Sequence, residues 1–509
     1  MIRAVGGLAA VVALVAGGAG FASAGQEHRG GSIAWKPCAE AASVDCGSIR
    51  VPVDWSKPRG EKIDLAVARR KATDPRKRIG VLLINPGGPG DSGVDFAFRA
   101  EQALSPQVLE RFDVIGFDPR GVGRSQPVVC SLELMLRQPA LPANQREFDA
   151  FAAYNRELAA DCRARSGPVF DHADTKSVVR DLDALRTALG ERKINYYGIS
   201  YGTLIGQQYA EEFGRDIRTM VLDSNIDHST DTRRFNEVTA ATAEDSFLEF
   251  ARWCDRTTSC ALHGQDVPKW WDALLARADR GEVFDHVDPS RPVSSREIIE
   301  TAFFSFYVPD WAGLATWLVA TSAASPVTAK AAAADEAVPN AFAAVFCQDY
   351  AIRVKDYREY AALSTRVNQI APHMRGSALG IFATAGCIGL PEKVRNPQHR
   401  LDIDDAPKIL MLNSLHDPST SHEWALTIHR QSRDTTVLVT YEGWGHTAYQ
   451  RSDCTKAVTD AYLLTLRTPR DGTRCAAVEP QFGPSVATTP RPHLPTGPRP
   501  GIPGWATQR

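Results

Sequence analysis

Residues 193–213 read KINYYGISYGTLIGQQYAEEF, and the reading of the fold turns on them. KINYYGI (193–199) is short, apolar and aromatic, the pattern of a strand buried on both faces. TLIGQQYAEEF (203–213) reads as a helix that stops at Gly214. Between them GISYG leaves no room for a loop. A G-x-S-x-G between strand and helix puts its serine, Ser200, on a turn tight enough to strain the backbone. Gly198 and Gly202, two positions to either side, keep neighbouring backbone from clashing. The Ser200 hydroxyl then stands above the sheet edge, at a helix N-terminus that favours negative charge. Alone the motif is a weak signal, and a chance Gly-Ser turn competes with it. The strand before, the helix after and the residues downstream favour a nucleophile.

A serine nucleophile needs a base, and the base needs an acid. This topology delivers them in the order Ser, acid, His, from the ends of later strands. LNSLHDPST follows the strand KILML and offers Asp417, and EGWGHTAY follows TTVLVTY and offers His446. His446 is expected to take the Ser200 proton, with Asp417 fixing the imidazole tautomer. Asp223, at the end of IRTMVLD, is a rival acid. His416 and His422 lie near Asp417 but do not sit where a base would, and are expected to be structural.

VLLINPGGPGDSGVDF (81–96) allows three readings. GPGDSG fits a dinucleotide fingerprint, GDSG resembles the nucleophile region of a β-barrel protease, and PGGPG suits an oxyanion loop. A cofactor cradle is disfavoured by Pro89 and by an exported, disulfide-rich chain. The protease reading fails because the surroundings alternate strand and helix, so Ser92 is not expected to be a nucleophile. As an oxyanion loop, the stretch would supply one N–H from Gly88 and the elbow would supply the other from Tyr201. In FDPRGVGRS (117–125), Asp118 and Arg120 read best as a polar turn satisfied by its own side chains.

Around these motifs, KIDLAVARRK, IGVLLIN, FDVIGFD, KINYYGI and IRTMVLD alternate with helical stretches, which predicts a mostly parallel sheet with helices on both faces. From 228 to 400 the chain is helix-prone and lacks buried strand runs, so a helical cap is expected to interrupt the core (25–227 and 401–476). Residues 1–24 read as a secretory signal ending at ASA, with an uncleaved anchor as the alternative. The Pro-rich stretch 477–509 predicts a disordered tail. With 43% hydrophobic and 23% charged residues and a net charge of -2, nothing suggests a nucleic-acid partner. Ten cysteines, all beyond the leader, argue for disulfides. Pairing of sequence neighbours would give Cys38–Cys46, Cys130–Cys162, Cys254–Cys260, Cys347–Cys387 and Cys454–Cys475, though sequence leaves the connectivity open. No C-x-x-C pair supports zinc, and no metal or organic cofactor is indicated.

Taken in order, NPGGPGDSG, FDPRGVGRS, YYGISYGTLIGQQYAEEF, MVLD, FCQDY, DPST and SDC…GTRC resemble the secreted tripeptidyl aminopeptidases of actinobacteria, α/β-hydrolase-fold peptidases related to prolyl aminopeptidases. The resemblance spans about residues 33–476. It implies a helical cap over the site, an extracellular enzyme without stable membrane insertion, and peptide substrates with a free N-terminus. It also implies that acidic residues of the cap hold the substrate amine, with Asp349 as candidate, and that Thr420 orients Asp417. The sequence departs from the pattern at Leu390, at DSNID (223–227) in place of DGVVD, at GHT in place of GHG after the base, and after Thr420, where no proline follows. Those departures bear on pocket shape and leave the three catalytic candidates intact. An exported esterase on the same machinery, or a non-catalytic binding protein on this scaffold, are the other readings. Oligomeric state is not legible.

Overall fold

GVLLIN (80–85) is buried along its whole length, as a strand with helices on both sides must be. The computed structural model describes residues 33–325, 337–377, 379–391 and 394–480. The expected leader and all but the first residues of the Pro-rich tail lie outside the described residues. No helix among the described residues is long and apolar enough to cross a membrane.

The strands are β1 (Lys36–Pro37), β2 (Asp45–Pro52), β3 (Lys62–Arg70), β4 (Gly80–Asn85), β5 (Phe112–Phe117), β6 (Val129–Ser131), β7 (Ile194–Ile199), β8 (Ile217–Asp223), β9 (Ala337–Pro339), β10 (Ile409–His416), β11 (Thr436–Trp444) and β12 (Thr473–Cys475). Ten form one sheet in the order β1-β2-β3-β5-β4-β7-β8-β10-β11-β12. β1 through β3 pair antiparallel, as β3 does with β5, and every pairing from β5 onward is parallel. The sheet is the mostly parallel α/β-hydrolase arrangement expected from the sequence. Strand order reverses at β4, with β5 on one side and β7 on the other, and such switch points open a crevice at the strands' carboxyl ends. Asn85 at the end of β4 pairs with Gly198 of β7, so the loop after β4 and the turn at Ser200 emerge side by side.

Helices Thr175–Ala188, Tyr201–Phe213 and His422–Gln431 bury their apolar faces on one side of the sheet. Gly93–Phe98, Pro106–Arg111 and Asp453–Thr465 cover the other. Between β8 and β10 lies a helical layer with its own aromatic core, in which Phe247, Phe250, Trp271, Phe303 and Trp311 are buried together.

Two features of this layer differ from the sequence expectation. Phe148 and Phe151 of the helix Gln145–Ser166 enter its core, so it is not built from one insertion alone. Asn155 of that helix donates to the carbonyls of Ala385 and Ile388, both at 2.8 Å. The layer also contains β9, antiparallel to β6. Such three-residue strands, like β12 at the sheet edge, have too few residues to show a period and were not predicted. The ten cysteines form the five neighbour pairs Cys38–Cys46, Cys130–Cys162, Cys254–Cys260, Cys347–Cys387 and Cys454–Cys475.

Candidate active site

Ser200 follows β7 directly, with φ 54° and ψ −122°, a conformation that a residue with a side chain rarely adopts. The surroundings enforce it. The Ser200 N–H donates to the Asp223 carbonyl at 3.0 Å, and the Thr203 hydroxyl donates to the Ser200 carbonyl at 2.6 Å. A Cβ on Gly198 would come within 2.5 Å of the Gly202 carbonyl, and one on Gly202 within 2.7 Å of the Asn85 carbonyl. Only glycine fits at either place, which is the steric requirement read from the motif.

Asp417 and His446 meet. The His446 Nδ1 lies 3.0 Å from both Asp417 carboxylate oxygens. The pair is almost wholly inaccessible, at 1% and 3% exposure. Burial alone would raise the Asp417 pKa, but the His446 charge, its hydrogen bond and the amides of Thr420 and Ser419 hold it below the ordinary value. Thr420 donates twice to this carboxylate, from its N–H and its hydroxyl, each at 2.9 Å. The His446 Nε2, the atom a base would use, is buried and has no hydrogen-bond partner among the described residues. Hydrogen bonds between base and nucleophile often tighten only when substrate enters.

Asp223, the rival acid, is fully buried and turned elsewhere. Its carboxylate receives the N–H groups of Ala448 and Tyr449, at 2.7 and 3.0 Å, and the Tyr197 hydroxyl at 3.1 Å. It therefore anchors the loop that follows His446 and makes no bond to the imidazole. His416 pairs with Asp245 at 2.7 Å and His422 bonds the Thr440 hydroxyl at 2.8 Å, so both are structural, as expected.

In the loop after β4, Gly87 makes the closest approach to the elbow. A Cβ there would lie 2.7 Å from the Tyr201 nitrogen and 2.4 Å from the Ile199 carbonyl. The Gly87 N–H is already given to the Asn85 side chain at 3.0 Å, which leaves the next amide, Gly88, as the loop's candidate donor. Ser92 caps the helix Gly93–Phe98, accepting from Asp95 N–H at 3.0 Å, and donates to Asp118 at 2.5 Å. It is a capping serine. Asp118 also takes the Arg124 N–H, while Arg120 is buried in a bidentate pair with Asp181 at 2.6 and 2.7 Å. Asp118 thus closes the turn as expected, but Arg120 does not: its guanidinium leaves the turn for Asp181 and the carbonyls of Pro52, Val53 and His172, partners too far along the chain to be read from the loop.

Asp349 does not stand where the resemblance put it. It has no solvent exposure, and its oxygens accept from the Thr175 amide and hydroxyl, the Asn396 side chain and the Tyr201 hydroxyl. With four donors in place, no substrate amine can reach it. It braces the side chain of Tyr201 from behind the elbow. Burial, with a contribution from Asp174, pushes its pKa up to about 7.

Several residues at the site were not found from sequence. Tyr307, from the helical layer, packs its ring 4.7 Å from the His446 ring. The Tyr307 carbonyl accepts from His446 N–H at 2.9 Å and from Arg451 at 2.6 Å. Ser224 donates to Asp417 at 2.7 Å. The Tyr307 and Arg451 contacts carry no sequence signal, being made between distant stretches. Ser224 lies in DSNID, one of the departures noted above. A cavity of about 870 Å³ is lined by residues such as Arg233, Arg353 and Leu363 and by none of Ser200, Asp417 or His446.

Comparison with known proteins agrees with this architecture. A family described as alpha/beta hydrolase fold matches residues 80–267, and one described as TAP-like protein matches residues 377–475. The chain is 31% identical over 494 residues to a tripeptidyl aminopeptidase of Streptomyces lividans, covering 90% of this chain and 89% of that protein. It is 29% identical over 495 residues to the serine protease Hip1 of Mycobacterium tuberculosis, covering 90% and 93%. It is 30% identical over 475 residues to a carboxylesterase B of the same species, covering 87% and 89%. With these relatives and this fold, the chain belongs to the tripeptidyl-aminopeptidase-like family of α/β-hydrolase-fold serine hydrolases.

Proposed function

We propose that this protein is an exported serine exopeptidase that releases tripeptides from free peptide N-termini through an acyl-enzyme. The observation that carries the proposal is the buried Asp417–His446 pair together with a backbone-strained Ser200, the three residues following the carboxyl ends of strands β7, β10 and β11 of one sheet. In this reading Ser200 Oγ attacks the scissile carbonyl carbon while His446 Nε2 takes its proton. The oxyanion that forms is met by the N–H groups of Tyr201 and Gly88. The C–N bond then breaks, and His446 returns the proton to the leaving amine. Water, activated by the same imidazole, releases the peptide acid. Asp417 holds the imidazole tautomer and offsets its positive charge, and Thr420 keeps the carboxylate turned toward it.

Relatives named as a tripeptidyl aminopeptidase and a serine protease support the peptidase reading over bare ester hydrolysis. Five disulfides and the leader-like N-terminus support export. Cap residues 228–400 are taken to enclose the peptide, but the group that receives its amine is not Asp349. The carboxylesterase B relative keeps an esterase as the second reading.

A four-substrate panel separates them: a tripeptide anilide with free amine, its N-acetyl form, a prolyl anilide and a short acyl ester. The peptidase cleaves the free tripeptide and loses most activity on acetylation. Equal rates with and without the acetyl group would remove N-terminus recognition, and turnover of the ester alone would favour the esterase.

A further inference from the structure

Three side-chain-bearing residues at the site have positive φ: Ser200 at 54°, Ser224 at 66° and Thr447 at 71°. That region favours glycine, so a serine and a threonine held there need a reason. The strained backbone at Ser200 is explained by the elbow. At Ser224 the reason lies in its hydroxyl. Ser224 Oγ accepts the Thr447 N–H at 2.8 Å and lies 2.7 Å from Asp417 Oδ2. An amide can only donate and an ionised carboxylate can only accept, so the single hydroxyl proton has one place to go. The chain runs from Thr447 N–H through Ser224 O–H to Asp417.

We propose that Ser224 is a positioning residue of the triad, its hydroxyl fixing the Asp417 carboxylate to the loop that carries His446. The inference rests on the reading of Ser200, Asp417 and His446 as the triad. Its setting is built for the task. The Ser224 N–H is pinned to the Leu412 carbonyl at 2.9 Å, which seats it between the ends of β8 and β10. Asp223 and Ser224 together receive three successive amides after the base, those of Thr447, Ala448 and Tyr449. Asp417 Oδ2 is bonded by Ser224 and the Thr420 hydroxyl from one side while it faces the imidazole from another. Chains of this kind polarise one another, so the bond to the carboxylate strengthens the grip on the base loop. Without the hydroxyl, Asp417 loses a donor and the Thr447 N–H, next to the base, loses its acceptor.

The test uses the full-length protein, Ser224→Gly and Ser224→Ala. Glycine suits the positive φ and removes the hydroxyl, so it isolates the hydroxyl from backbone strain. The measurements are the rate of Ser200 phosphonylation by a fluorophosphonate, which needs no knowledge of the natural substrate, and its dependence on pH. Both variants are expected to react about 10- to 100-fold more slowly, the loss of one hydrogen bond to a charged group. The acid limb is expected to move to higher pH, because a carboxylate with one donor fewer is more basic and holds imidazolium more tightly. If Ser224→Ala does not fold, Ser224→Gly carries the test. A glycine variant that reacts at the wild-type rate with an unmoved pH limb would overturn the proposal and leave Ser224 a turn former. Wild-type protein that does not label at Ser200 overturns the triad reading itself, and this inference with it.

Discussion

Ser200 and His446, the proposed nucleophile and base, are held by different parts of the molecule. Ser200 is fixed by its own strand and helix and by the ends of β4 and β8, all of them core. His446 is fixed from the cap as well. Its N–H is bonded to the Tyr307 carbonyl, and Arg451 ties that carbonyl to the carbonyl of His446 itself at 2.9 Å. Two residues earlier, at the end of β11, the Trp444 indole donates to Glu249 at 2.6 Å, and beside it His416 pairs with Asp245. Both acids sit on the long cap helix Thr232–Arg256. Ser200 is therefore held by the core, whereas His446 is held both by the core, through Asp223 and Ser224, and by the helical layer, through Tyr307.

The largest test of this division removes the nucleophile. Ser200→Ala should lower hydrolysis by about 10⁴- to 10⁶-fold while leaving the melting temperature near that of the parent, because no cap contact is touched. Loss of folding together with activity would mean that the elbow and the cap are not independent. Next, Arg451→Met removes the side chain that clasps Tyr307 to His446. A loss of about 10- to 100-fold in kcat/KM is expected. Fluorophosphonate labelling should slow in parallel, because the base is displaced and the pocket is not. An effect on KM alone would place Arg451 with the substrate instead.

The helical region between β8 and β10 can also be weakened through a disulfide. Cys347–Cys387 closes a loop across the cap with a separation of 40 residues. Replacing both cysteines by alanine should cost about 2–4 kcal/mol of stability in denaturant unfolding. If the cap seats the base, activity should fall at temperatures where the core, followed by its own spectroscopic signal, is still folded. Coincident loss of both would show one cooperative unit.

Two smaller effects depend on pH. Asp349 has its folded-state pKa pushed up to about 7, above its unfolded value. It is thus protonated in the folded protein where the unfolded chain is ionised, and its contribution makes stability fall as pH rises from about 4 to 7. Asp349→Asn should flatten that part of the stability profile, and an unchanged slope would count against the buried acid. His416 is shifted in the same direction, but by an ion pair. Burial lowers its pKa, but the bond to Asp245 and the charges of Asp245 and Glu249 outweigh that and raise it. A raised histidine stabilises fully at low pH and loses that contribution as pH rises through its folded value. Asp245→Asn should therefore lower the melting temperature more at about pH 5.5 than at about pH 8.5. Partial exposure of the pair keeps the effect small, of order 1 kcal/mol or less.

How much of this was readable in the sequence follows the same division. Ser200, its two glycines and the central strands could be read because each rests on neighbours within a few residues, where strand composition and turn sterics act. Asp417 and His446 could be read because strand ends put them at one edge of a sheet whose order is constrained. The grip of Tyr307 and Arg451 could not, since a backbone carbonyl has no sequence signature and its partner is far along the chain. Ser224 was visible as a departure in DSNID, but its meaning required the sign of its φ and the position of the Thr447 amide. Asp349 was misplaced for the opposite reason. Its motif was recognised, and only the fold reveals that Thr175, Tyr201 and Asn396 surround it.

The carbonyl of Tyr307 has a consequence for engineering. If the helical layer is the lid proposed above, it is an attractive part to exchange. Here the lid presents a main-chain acceptor to the base loop, and that acceptor is defined by backbone path and not by side-chain identity. A transplanted lid with a well-chosen pocket but a carbonyl displaced at this point would leave His446 N–H and Arg451 without their shared partner. Grafts should be designed outward from that one peptide group, with the pocket walls varied afterward.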